Sequence, residues 1–274
     1  MTAPYLNLGC GSRFHPDWVN LDLHPTSPSV QQWDLRKDLP FPDESFDVVY
    51  HSHVLEHFSR EDGLKLLKSC RRVLRRNGIV RVAVPDLERI AKSYLDALDK
   101  AAHGLRGGQL EHQWAVLELY DQAVRERSGG AMLDFLRNNS AANLDFVIQR
   151  HGEEVKKLLG VPQDRLNSHQ DRFWSIVSQA KTVLTRTLIR LITGREGIRA
   201  FDLGRFRLSG EIHYYMYDRV SLALALQSAG FSSPRRVGPA ESAVPRWKDF
   251  DLDTEPDGRT YKPDSLFMEA VNIR

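Results

Sequence analysis

The chain has 274 residues, 41% of them apolar and 27% charged, which fits one large globular domain or a domain with a sizeable insertion. A formal net charge of +2 argues against a dedicated nucleic-acid binder, which would carry a strong basic excess. Cys10 and Cys70 are the only cysteines, no apolar run is long enough to span a bilayer, and the start does not read as a secretory leader, so a cytoplasmic protein in a reducing compartment is expected.

Tyr5, Leu6 and Leu8 make a short apolar strand that runs into Gly9-Cys10-Gly11. A second strand, Val19 to Leu23, carries a carboxylate near its tip at Asp22. Glycines at a strand's end let the backbone turn sharply and approach a ligand closely, and a carboxylate on the next strand can take both hydroxyls of a ribose. His24 to Gln32 reads as a loop with Pro25 and Pro28, and Trp33-Asp34-Leu35 as a brief strand edge. Phe46 to His51 is a β-branched apolar run expected to be a buried strand. Val54 to Leu74 has helical spacing stopped by Asn77-Gly78, and Ile79 to Val84 is the next strand, ended by Pro85. Strands alternating with helices or tight crossovers predict a parallel α/β sheet.

From Asp86 to about Ala200 helical patterns dominate: Leu87 to Lys100, Gln109 to Glu126, Met132 to Arg137, Leu144 to Leu159 and Asp171 to Ile192. This stretch reads as a helical insertion or lid. Asp218 is the expected N-cap of a helix from Arg219 to Ala229, with Gly230 as its stop. Pro234 to Val237 and Leu266 to Val271 complete the sheet. The expected division is a cofactor-binding α/β core over 1–95, a helical insertion over 96–205, and a return to the core over 206–274.

The motifs LNLGCG, DLPFPDESFDVVY, VLEHF and RRVLRRNGIVRVAVPD, followed by YDRVSLALALQSAGF and SLFMEAV, resemble class I S-adenosylmethionine-dependent methyltransferases of the small bacterial type 11 group. The resemblance covers roughly Tyr5 to Tyr94 and His213 to the end. It implies a Rossmann-like sheet, a large helical insertion before the last helix and strands, and S-adenosyl-L-methionine as cofactor. It also implies that Gly9 and Gly11 lie under the methionine part and that Asp22 holds the ribose. Asp34 and Leu35 would flank the adenine, and His51 to His53 would border the methyl group. Asn7 stands where the family often has an acidic residue, near the cofactor's amino group. Asp22 follows Gly11 by only eleven positions, against about 20 in dinucleotide folds. The first crossover helix must therefore be very short, within Ser12 to Trp18, and one side of the cofactor pocket is left open.

Methyl transfer from a sulfonium is an in-line displacement, so the protein has mainly to align acceptor, methyl and sulfur. A hydroxyl acceptor also needs a base, and histidine suits neutral pH. His53 and His213 are the expected acceptor-side residues, with Tyr214 or Tyr217 shaping the pocket; a helix-capping His53 and a core-packed His213 are the alternatives. His57 suits a helix N-terminus. No metal is expected, because the strand-to-helix break scrambles the spacing of His51, His53, Glu56 and His57. Cys10 lies in the cofactor loop and is expected to pack rather than react. The missing third glycine after Gly11 disfavours an NAD-dependent enzyme. A small-molecule or glycan-type acceptor is expected, and no nucleic acid. The segment 174–207 has an apolar stripe with Lys181, Arg186 and Arg190 off it, which suits a lid helix or peripheral contact with an anionic membrane. The competing class is a non-catalytic scaffold that kept the cofactor fold and uses the helices for a partner.

Overall fold

The computed structural model describes residues 5–139, 144–152, 155 and 175–273. Its sheet has seven strands: β1 (Tyr5–Leu8), β2 (Val19–Asp22), β3 (Val30–Gln32), β4 (Phe46–Ser52), β5 (Leu74–Pro85), β6 (Ser232–Val237) and β7 (Ser265–Val271). They lie in the order β3-β2-β1-β4-β5-β7-β6. The first five are parallel, and β7 is antiparallel to both its neighbours. The 3-2-1-4-5 order makes this a Rossmann-like α/β fold, and the order reverses between β1 and β4. Ligands of such sheets bind beyond the carboxyl ends of the strands at that reversal.

Helices α1 (Arg60–Val73), α2 (Leu87–Ala102), α3 (Gly108–Val124), α4 (Gly130–Asn138), α5 (Asp145–His151), α6 (Ser175–Arg207, two helical pieces joined at a kink on Gly194) and α7 (Arg219–Ser228) complete the described elements, with 3₁₀ turns at Leu55–His57 and Trp247–Phe250. Asp218 caps α7 in a capping box with Ser221, as its sequence position predicts. Four expected elements differ in detail. Ser12 to Trp18 forms turns and no helix. The third strand lies at Val30–Gln32, ahead of Trp33. The run from Val54 splits into the 3₁₀ turn and α1, because Ser59 caps α1 by accepting from Asp62 N. Asn77-Gly78 lies inside β5, at a register shift against β4, and not at a helix end. The expected helical residues 153–154, 156–159 and 171–174 lie outside the described residues.

Alternation along the strands sends side chains to two different covers. Leu6, Leu8, Val49, Val80, Val82, Leu266 and Met268 pack on the face covered by α1 and α7. Each such side chain contributes about 1.5–3 kcal/mol when fully buried. The other face carries Val48 and Tyr50 against Trp18, Val244, Trp247, Phe250 and Leu252. There the cover is an irregular stretch, not a helix. Arg81 of β5 is fully buried on that face, bonded to Asp253 and Glu269 and stacked 4.3 Å from the Trp247 ring centre. It also donates to the carbonyls of Gly238, Pro239 and Glu241, so one guanidinium holds the whole stretch to the sheet. Helices α3 to α5 keep a core of their own, around Trp114, Phe135, Leu136, Leu144 and Val147.

Candidate active site

The Gly9–Gly11 turn follows β1 directly. Gly9 and Gly11 have φ of 61° and 54°, a region closed to most side chains. A Cβ on Gly9 would come within 2.4 Å of Val54 Cγ2, whereas one on Gly11 would meet nothing within 4 Å. Gly9 is therefore a packing glycine, and Gly11 presents bare backbone to open space. Asp22 Oδ2 accepts the Gly11 N–H at 2.7 Å and its Oδ1 accepts from His24 N at 2.8 Å. Asn7, buried below the turn, donates to Arg13 O and to Asn20 Oδ1. Leu35 Cδ1 lies 3.7 Å from the Cβ position of Gly9. Asp34 is bound by Arg36 at 2.8 and 2.9 Å, and that bonding holds its carboxyl below the usual range.

A cavity of about 210 Å³ opens beside this turn, lined by Asn7, Gly9, Cys10, Gly11, Ser12, Arg13, Tyr50, Ser52, His53, Leu252, Tyr261 and Lys262. The last three close the side that the missing crossover helix leaves open. Arg13 ties them in place: it lies 4.1 Å from the Tyr261 ring centre, pairs with Glu255 at 3.4 Å and donates to Thr254 O. Cys10 is buried and its thiol is pushed up to about 12, by desolvation first and then by Asp22, which removes it as a nucleophile.

A second cavity of about 550 Å³ adjoins the first and shares His53 and Lys262 with it. His57, His213, Gln122, Arg125, His151 and Asp264 are among its walls, with apolar residues of α3 and α4. His53 has φ of 53°, a strained conformation for a non-glycine residue, held by its N–H on Ala83 O at 2.9 Å. That turn places its ring on the boundary between the cavities. Its Nε2 lies 2.8 Å from Ser265 Oγ and its Nδ1 3.4 Å from Glu56 Oε1. The latter is within ion-pair distance, yet burial pushes Glu56 up to about 8 and His53 well below its ordinary value, so burial disfavours the charged form of both. His213 Nε2 meets the Gln122 amide at 3.2 Å, and burial, aided by His57, lowers it too. His57 Nδ1 bonds Ile212 O at 3.1 Å, and burial brings this ring down to about 4.

The structure thus brings Asn7, Gly9, Gly11, Asp22, Asp34 and Leu35 to one end of the sheet, and His53 and His213 to one cavity. His51 stands apart. It lines neither cavity; its wholly buried ring has no partner on either nitrogen, and burial lowers it to about 4. Tyr214 turns outward and donates to Arg207 O, and Tyr217 packs in the main core, so neither shapes the cavity of His213. Sequence reading missed Lys262, Asp264, Ser265 and Gln122. Lys262, Asp264 and Gln122 come from segments with no motif of their own, Ser265 opens the last strand's motif without marking itself as a site residue, and only folding brings them to the strand ends.

Residues 6–82 match the family model of a methyltransferase domain. No curated protein matches the chain. Among solved structures, the chain is similar to a SAM-dependent methyltransferase from Archaeoglobus fulgidus at 10% identity and a TM-score of 0.38, covering 97% of this chain and 85% of that one. It is similar to one from Thermotoga maritima at 11% identity and a TM-score of 0.38, covering 98% and 81%. SAM-bound CalS10, an amino pentose methyltransferase from Micromonospora echinaspora, is similar at 21% identity and a TM-score of 0.24, covering 30% and 42%.

Proposed function

With residues 6–82 an S-adenosylmethionine-dependent class I methyltransferase domain, we propose that the enzyme O-methylates a small-molecule or glycan-type acceptor held in the larger cavity. The observation that carries this reading is the shared wall: His53 and Lys262 belong to both the glycine-turn cavity and the larger one. Two cavities that meet at one point give a donor group and an acceptor a common line.

The residues present fit the cofactor. Gly11 offers open space and bare backbone, and each Asp22 oxygen, though already accepting one N–H, keeps acceptor capacity for ribose hydroxyls. Asn7, Gly9, Gly11, Asp22, Asp34 and Leu35 would hold S-adenosylmethionine, with His51 behind them as buried support. When bound, the cofactor supplies an electrophilic methyl group on a sulfonium. The chain's own residues do the rest. His53 Nε2 exchanges Ser265 Oγ for the acceptor hydroxyl and takes its proton, with Glu56 beside Nδ1 to orient the ring. His213 orients the acceptor from the far wall. Tyr261 and Lys262 exclude water where the cavities join.

We read 1–95 and 206–274 as the core and 96–205 as the lid that supplies the larger cavity's walls. Arg125, Arg127 and Arg137 line that cavity and favour a phosphorylated acceptor or one carrying a nucleotide or lipid-linked phosphate. Leu188, Leu191 and Ile192 are exposed on α6 among arginines, which favours peripheral contact with an anionic membrane. No helix among the described residues is long and apolar enough to cross one.

The test is transfer of labelled methyl from S-adenosylmethionine to a panel of hydroxyl acceptors with and without phosphate. His53→Asn is the informative variant, because asparagine tolerates the positive φ. It should keep S-adenosylhomocysteine binding and lower turnover by about 10²- to 10⁴-fold. Transfer to no acceptor, by protein that binds the cofactor, favours the scaffold reading.

A further inference from the structure

One ligand-type atom from each of Glu56, His57 and His213 lies within 4.8 Å of the other two. Glu56 and His57 come from the 3₁₀ turn after β4. His213 comes from the segment before α7, which is stitched to that turn and to α3 by the backbone. His213 N donates to Gln122 O at 3.0 Å, and Tyr214 N and Tyr215 N both donate to Glu56 O.

The polar atoms in this cluster are unsatisfied in a particular way. Glu56 is wholly buried, and neither carboxylate oxygen has a hydrogen-bond partner. His53 Nδ1, at 3.4 Å from Oε1, can engage at most one of them. His213 Nδ1 is buried and also has no partner. Leaving such groups bare costs roughly 1–3 kcal/mol each, and more if charged. His57 Nδ1 faces a carbonyl and must carry its proton there, so its Nε2 presents a lone pair. His213 Nε2 faces the Gln122 amide. The amide nitrogen stands at that position, and a half-turn of the amide, which exchanges its nitrogen and oxygen, puts the oxygen there, so that Nε2 carries the proton and Nδ1 presents the lone pair. Each imidazole thus has an outer partner that orients it, as metal-ligating histidines do.

We propose that Glu56, His57 and His213 bind a divalent transition-metal ion of the zinc class, with one coordination position open to the larger cavity. Two imidazoles and a carboxylate suit zinc or ferrous iron and not magnesium or calcium, which take all-oxygen sets. Three protein ligands with a fourth position free is the catalytic form of such a site. His57 and His213 line the larger cavity while Glu56 lies behind them, which puts the open position on the cavity side. Ligand atoms around a tetrahedral zinc stand about 3.4 Å apart, so the cluster closes on the ion by roughly 1.5 Å. In the proposed reaction, and resting on that reading, an acceptor hydroxyl at the open position is oriented and made more acidic by the ion.

The test is titration of untagged, chelator-stripped protein with Zn²⁺ by calorimetry, and with Co²⁺ by visible absorption, in the absence of cofactor. One ion per chain is expected, with the intense bands of low-coordinate Co²⁺. Glu56→Gln and His213→Ala should abolish binding, and Gln122→Leu, which removes only the outer partner, should weaken Zn²⁺ by about 10–100-fold. S-adenosylhomocysteine binding, measured in parallel, shows that each protein is folded. Wild-type protein that binds S-adenosylhomocysteine but no Zn²⁺ or Co²⁺, or binds them with an affinity none of the three variants changes, overturns the metal site and leaves methyl transfer standing. Zinc uptake without S-adenosylhomocysteine binding does the reverse.

Discussion

Asp22 Oδ2 accepts the Gly11 backbone N–H at 2.7 Å, so the carboxylate at the end of one strand holds the turn at the end of its neighbour. One side chain therefore shapes the turn and, in the proposed function, takes the ribose hydroxyls. Asp22→Ala should weaken S-adenosylhomocysteine binding by about 10–100-fold, the range for a lost hydrogen bond to a charged group. Calorimetry on wild type and variant measures it, and unchanged affinity would remove Asp22 from the site.

The two glycines of the turn should fail in different ways. Gly9→Ala drives a Cβ to 2.4 Å from Val54 Cγ2 in a core contact, so the loss should appear as a lower Tm. Gly11→Ala meets no neighbouring atom and bears only the left-handed strain of about 1–2 kcal/mol. Its methyl group intrudes beside the cavity, so cofactor affinity should fall by more than stability does. Equal effects of the two changes on Tm would contradict this assignment.

Arg81 bridges two buried carboxylates, Asp253 at 2.8 Å and Glu269 at 2.9 Å, and Arg235 reaches the second of them at 2.9 Å. Arg81→Met leaves Asp253 without its cation, while Glu269 keeps Arg235 at 2.9 Å, and removing one side of a buried ion pair costs about 3–5 kcal/mol. Urea unfolding should show a loss of that size. Because Asp253 adjoins Leu252 and leads to Tyr261 at the cavity wall, weaker cofactor binding should accompany it. A loss below 1 kcal/mol would show that the network does not hold this stretch.

His151 lies between Asp264 and Glu118, each at 3.0 Å. Burial opposes its charge, but hydrogen bonds to both carboxylates and their charges outweigh burial and raise it to about 9. A folded value above the unfolded 6.5 means the stability is fully present below pH 6.5 and is lost as pH rises through about 9. Melting profiles should therefore fall between pH 7 and 10, and His151→Gln should flatten that fall. Because this cluster joins α3 and α5 to the loop before β7, the contacts of those helices with that loop should open first. A wild-type profile as flat as the variant's would argue against a charged His151.

Much of the proposed cofactor side was legible along the chain. The glycine turn, Asp22, the loop at Asp34 and Leu35, and the strand leading to His53 follow one another within a short stretch, where hydrophobic alternation and turn residues act locally. Strand ends were less legible: tertiary pairing extended β5 back through Asn77-Gly78, and Ser59 broke a run that periodicity reads as one helix.

What sequence by itself determined is the run of short apolar strands and the glycine turn after β1, because both depend on neighbours within a few residues; that β7 enters the sheet antiparallel was decided by tertiary pairing. Only the tertiary structure decided what closes the open side of the glycine-turn cavity. The answer is Leu252, Tyr261 and Lys262, held by Arg13 and Arg81. It likewise decided that His213, more than 150 residues after Glu56 and His57, completes their cluster. No local pattern encodes such meetings. They arise when separate segments bury their apolar faces on one sheet and their polar side chains are left to share the same enclosed space.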